Sequence, residues 1–133
     1  MKVLDASFLI DYLGGATAAV TYYEENGSVD EHWVMPAPAH AEALVGVGNH
    51  PDGDVERAIE ALGWGEVYEM DESLSVEAGR IPEEIGSQGP YLDGIDAIVA
   101  AVGRELDAPV VSADSDLTHE ATRRVVDVET YRG

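Results

Sequence analysis

Asp5 ends the short run Val3-Leu4 near the start of the chain, and Asp114 stands just past another apolar pair, Val110-Val111. Acids in such places lie at the carboxyl ends of strands, where open α/β sheets build their sites. Glu42 falls about one turn into a helix that Pro36 opens, and Asp96 falls in the first turn of an alanine-rich helix. Asp93 and Asp116 stand beside these last acids. Carboxylates that converge in one cleft repel one another, and their pKa values rise until some neutralise, unless a cation is bound. Oxygen ligands alone, in a chain without cysteine, favour Mg²⁺ or Mn²⁺ over zinc. His40 and Glu42 do not form a zinc motif, because no second histidine follows at a helical interval.

Each acid also has an ordinary structural reading. Asp5 suits the N-cap of a helix starting at Ala6, a role Ser7 could share. On spacing alone Glu42 reads as a solvated helical glutamate. Asp93 as N-cap with Asp96 at the third helical position resembles a capping box, with Asp in place of Glu or Gln. Asp96 then lies about 100° from Ile95, at the border of the apolar stripe, and needs a partner there. Asp114 or Asp116 suits the cap of a last short helix. Asp11, about a turn and a half beyond Asp5, reads as solvated.

The elements that must position these acids follow from periodicity. Phe8, Leu9, Tyr12 and Leu13 recur at helical spacing, and Gly14-Gly15 stops that helix. A second helix is predicted over 16–26, closed by Gly27. The stretch 32–35 reads as a strand, and Pro36 opens the helix that carries Glu42. Asp52-Gly53-Asp54 is a turn and cap before the stripe Val55, Ile59 and Leu62. A strand over 66–68 precedes a helix capped by Asp71, which Pro82 is expected to kink. Residues 93–106 give the clearest helix, with Ile95, Ile98, Val99, Val102 and Leu106 on one face. Strands at 110–111 and 125–128 flank the last short helix. Strands separated by helices run parallel with right-handed crossovers. The expected fold is therefore α/β, a three-layer sandwich around a small parallel sheet of four to five strands, with one domain spanning 1–133.

With 133 residues and 45% apolar content the chain can bury a real core. It lacks an apolar run of about 18 residues and a basic amino-terminal start, so no membrane association and a cytoplasmic location are expected. Charge is the outlier, with 27 acidic against 7 basic residues and a formal net charge of −20. Nucleic-acid binders usually carry basic patches, and charge alone argues against that class. Yet the acids are spread over nearly every segment, which fits a halophilic protein. At molar salt the Debye length is about 3 Å, so self-repulsion and repulsion of phosphate are both screened.

Four motifs then fall in order: Leu4-Asp5-Ala6-Ser7, Ala41-Glu42-Ala43-Leu44, Asp96-Ala97-Ile98-Val99-Ala100, and Ser112-Ala113-Asp114-Ser115-Asp116-Leu117. In order, spacing and context the chain resembles a PIN domain of the VapC-type toxin ribonucleases of toxin–antitoxin pairs. The resemblance covers nearly the whole chain. Two positions depart from it mildly, Ser112 for a usual Thr and Leu117 for a usual Phe. It implies a PIN-like fold and a Mg²⁺- or Mn²⁺-dependent endoribonuclease that hydrolyses RNA phosphodiester bonds. Asp5, Glu42, Asp96 and Asp114 would be the catalytic, metal-binding quartet, with Asp116 as an auxiliary ligand. Ser7 and Ser112 would orient carboxylates by hydrogen bonds, and Asp93 would support Asp96 from the cap. The implied partners are RNA, a cognate antitoxin and a second copy of the chain. Tyr12, Tyr22 and Tyr23 are candidates for that homodimer contact, or for core packing.

Three other functions compete. A PIN fold that docks a partner without useful catalysis would carry the same motifs. A phosphoacceptor receiver domain is also small, acidic and α/β, but needs a lysine at the end of its last strand, and Lys2 is the one lysine in the chain. An Asp-x-Asp phosphatase is excluded because residue 7 is Ser.

Overall fold

The computed structural model describes residues 1–132. Five short strands form one sheet: β1 (Lys2–Leu4), β2 (Trp33–Pro36), β3 (Glu66–Tyr68), β4 (Val110–Ser112) and β5 (Val128–Thr130). All neighbours are parallel, in the order β3-β2-β1-β4-β5. Val3 pairs with Val34 on one side and Val110 on the other. The three central strands are apolar almost without alternation because both faces of a parallel sheet are covered.

The helices are α1 (Ala6–Leu13), α2 (Thr17–Asn26), α3 (Ala37–Asn49), α4 (Val55–Ala61), α5 (Glu72–Ile85), α6 (Gly94–Leu106) and α7 (Glu120–Arg123). From β1 the chain winds outward through β2 to β3, then returns to β4 on the far side of β1. Right-handed crossovers therefore place α1–α4 on one face and α5–α7 on the other. The winding direction changes between β1 and β4, so a topological switch point lies at the carboxyl ends of those two strands, the place where open α/β sheets build their sites.

Packing explains most of the boundaries. The side chains of Asp54, Asp71 and Asp93 accept the N–H groups of Arg57, Leu74 and Asp96 and so cap α4, α5 and α6. Phe8 is fully buried and meets Tyr131 edge-on at 4.9 Å and Tyr22 at 5.9 Å. Tyr12, Tyr23, Trp33 and Trp64 extend this aromatic cluster. The rings of Tyr12, Tyr22 and Tyr23 are thus used in packing within the chain. Gly103 lets α6 lie against β4: a Cβ there would stand 2.7 Å from Val110 Cγ2.

Pro82 sits inside α5, and its carbonyl accepts the closing Gly86 N–H at 3.1 Å. One local expectation shifts. The last strand begins at Val128, not Val125. The Thr122 carbonyl accepts both the Val125 and Val126 N–H groups at 3.0 Å, so those residues close α7 instead of pairing with β4. The apolar run hides that turn, because Val126 is buried without being in the strand.

Candidate metal centre

Asp5 leaves β1 at the switch point and turns the chain into α1. Its Oδ1 caps that helix by accepting the Phe8 N–H at 2.9 Å. Ser7 Oγ lies 2.8 Å from both carboxylate oxygens, and Ser112 Oγ, at the end of β4, donates to Oδ2. The residue is 1% exposed. Burial raises the Asp5 pKa, the hydrogen bonds from Ser112, Phe8 N–H and Ser7 work against that rise, and the charge of Asp114 adds to it. Asp5 is thus both the cap of α1 and a buried carboxyl at the end of β1.

Ser112 Oγ also accepts the Asp114 N–H at 2.9 Å, and Ser7 Oγ accepts the Ala113 N–H at 3.3 Å. These two hydroxyls tie the loop after β4 to the start of α1. Asp114 then folds that loop on itself, with Oδ1 accepting the N–H groups of Asp116 at 2.8 Å and Leu117 at 3.2 Å. This turn brings Asp116 alongside Asp114. From the opposite face, the first turn of α6 delivers Asp96, held by Asp93 Oδ1 on its N–H at 2.8 Å.

Asp96, Asp114 and Asp116, all half-buried, each present a carboxylate oxygen within 4.8 Å of the other two. Asp96 carries the consequence. Burial first, then the charges of Asp114, Asp93, Asp5 and Asp116, push its pKa up to about 7. No ion pair among the described residues involves any of these acids. Arg104 is held by Glu77 and Glu84, Arg124 by Glu120, and Lys2 by Glu129. A hard divalent cation fits the oxygen-only donor set and would relieve the repulsion that lifts Asp96.

The residues singled out from sequence do not all converge. Asp96, Asp114 and Asp116 meet. Asp5 lies beneath them, close enough to act on Asp96 by charge but with both oxygens engaged by protein donors. Glu42 is solvent-exposed on α3 and stands outside the group. Helical phase accounts for this: α3 buries Ala39 and Ala43, and Glu42 lies on the flank of that face. Asp11 is not the solvated residue its spacing suggests. Its Oδ2 accepts the Tyr131 hydroxyl at 2.6 Å and faces Arg132 at 3.3 Å. Burial and Asp11 hold the Tyr131 hydroxyl well above its ordinary pKa. The tail after β5 thus clamps α1 beside Ser7. A separation of 120 residues leaves no local signal for that contact.

The sequence matches the family described as PIN domain over residues 2–122. No curated protein matches it. Solved structures share the fold at low identity. A toxin–antitoxin complex from Klebsiella pneumoniae is 16% identical with a TM-score of 0.79, covering 99% of this chain and 98% of that one. VapBC2 from Rickettsia felis, bound to a DNA fragment from its promoter, is 13% identical with a TM-score of 0.77, covering 98% of each chain. The sarcin–ricin-loop-cleaving toxin VapC20 of Mycobacterium tuberculosis is 12% identical with a TM-score of 0.65, covering 95% and 96%.

Proposed function

The chain belongs to the PIN domain family, and from that membership we propose that it is a divalent-metal-dependent endoribonuclease, the toxin of a type II toxin–antitoxin pair. The observation that carries the reading is the Asp96–Asp114–Asp116 group. Three carboxylates share 4.8 Å at a topological switch point without a basic partner, and Asp96 is lifted to about 7. A bound cation would offset both the burial and the neighbouring charge that lift Asp96.

Mg²⁺ or Mn²⁺ would be held by Asp96, Asp114 and Asp116, and would supply Lewis-acid activation of water and neutralisation of phosphate charge. The protein's own part is placement. Asp5 fixes the end of β1 to α1 and adds negative potential beneath the group. Ser7 and Ser112 hold Asp5 and the 112–114 loop in one geometry, and Asp93 holds the first turn of α6. Glu42 belongs to the proposed quartet by its motif and would join from the rim of α3. With most cationic side chains tied in ion pairs, the metal is the group that meets the phosphate charge.

A cognate antitoxin and a homodimer complete the proposal. An apolar groove of about 600 Å³, bounded by Ile10, Leu13, Ala43, Val47, Ala58 and Ala61, offers a surface for an amphipathic partner segment. The net charge of −20 favours a basic one and fits a cytoplasm rich in salt. No described helix is long and apolar enough to cross a membrane.

The test is RNA cleavage with Mg²⁺ or Mn²⁺ across KCl concentrations up to several molar, for the wild type and Asp114→Asn. Cleavage that needs the metal and is lost in Asp114→Asn supports the assignment. Absence of cleavage at every salt, with metal binding intact, assigns the chain to the alternative, a PIN-fold binding module.

A further inference from the structure

We propose that Tyr91 is a stacking platform for an unpaired base of the RNA strand entering the acidic cleft; the inference rests on the nuclease reading above. The chain has nine aromatic residues. Eight are buried in the core or packed against it. Tyr91 is 90% exposed. It is the one aromatic side chain whose position the hydrophobic core does not explain.

Its backbone is braced, not loose. α5 ends at Gly86, whose φ of 83° starts a turn that the Gly89 N–H closes on the Gly86 carbonyl at 3.2 Å. At Gly89 an added Cβ would stand 2.2 Å from Ile85 Cγ2 and 3.3 Å from Ala121 Cβ. The loop is therefore wedged between the end of α5 and α7, the helix that follows the Asp114–Asp116 turn. After Tyr91 the chain dives inward, with Leu92 only 6% exposed, and Asp93 caps α6 beside Asp96. The ring is thus presented to solvent from the segment that leads directly into the metal-binding helix.

Charge explains why a stacking contact is needed. Most RNA-binding proteins gain affinity by neutralising phosphates and releasing counterions, a term that fades as salt rises. A chain with 7 basic residues against 27 acidic ones has little of that term to use. Stacking of a base on an aromatic face is tolerant of sequence and does not rely on charge. It also requires an unpaired base, so the substrate class is single-stranded RNA or a loop.

A short oligoadenylate RNA carrying one 2-aminopurine tests this in EDTA at 0.2 M and 2 M KCl, alongside KM and kcat for Mg²⁺-dependent cleavage. Tyr91→Ala is expected to weaken binding about tenfold, with Tyr91→Phe within about twofold of wild type. The same factor is expected at both salts, in KM more than kcat, with an unchanged melting temperature. Binding by Tyr91→Ala equal to wild type overturns the proposal, as does a Phe variant as weak as Ala or a factor that vanishes at high salt. Cleavage by Tyr91→Ala with unchanged KM overturns stacking and leaves the nuclease reading standing. A wild type that binds in a Tyr91-dependent manner but never cleaves overturns the nuclease reading alone.

Discussion

Asp96→Asn isolates the energy stored at the acidic group. The carboxyl is lifted from 3.8 to about 7, equivalent to about 4 kcal/mol if no solvent reached it. Asp96 is only half-buried, and solvent screening cuts this to about 2 kcal/mol. The sign follows from proton counting. Between about pH 4 and 7 the folded protein holds a proton on Asp96 that the unfolded chain has released. Stability from this residue is therefore full below pH 3.8 and is lost as pH rises through 7. At pH 8 in EDTA, Asn removes the repelled charge without removing any described hydrogen bond to the carboxylate, because the Asp93 cap takes the backbone N–H. The variant should melt about 7 °C above wild type at pH 8, from an unfolding entropy of about 0.28 kcal/mol/K for a chain of this length. At pH 4 the two should melt together. Mg²⁺ at a hundred times its dissociation constant should raise wild type by about 2.7 kcal/mol and the variant by much less. Calorimetry at two pH values, with and without Mg²⁺ and at low and high KCl, reads all of this. A variant that melts below wild type at pH 8 in EDTA, or that gains as much from Mg²⁺, would refute the reasoning that burial and neighbouring charge destabilise the ionised Asp96.

Gly103→Ala should lose about 1–3 kcal/mol in urea unfolding, because its Cβ would press on Val110 Cγ2 at 2.7 Å and the Ala108 carbonyl at 3.1 Å. Tyr131→Phe deletes the hydroxyl that Asp11 accepts at 2.6 Å and should cost about 1–2 kcal/mol; an unchanged urea midpoint would remove the clamp from the account of how α1 is held. By titration calorimetry, Asp114→Asn should weaken Mg²⁺ about tenfold more than Glu42→Gln, since charge count at the ion sets affinity and Glu42 is exposed outside the group. The reverse order would mean that α3 moves to bring Glu42 over the ion.

Much of this protein is legible in its sequence because the relevant physics is local. Helical spacing, Asp caps and Gly or Pro breaks mark α1 and α4–α6 nearly to the residue, since each depends on contacts three or four positions apart. Apolar runs mark the central strands, because a parallel sheet covered on both faces leaves no alternation to misread. The order of four acidic motifs identifies the family. Several things required the tertiary structure. Val125 and Val126 are drawn into a turn by Thr122, which an apolar run conceals. Asp11 finds Tyr131 across 120 residues, and no periodicity reports a contact of that separation. The group that converges most tightly is Asp96, Asp114 and Asp116, while Asp5 is saturated by Ser7, Ser112 and the α1 cap. Motif order marks candidate acids, Glu42 among them; side-chain direction and competing hydrogen bonds, which exist only in three dimensions, decide that Asp96, Asp114 and Asp116 are the ones that meet.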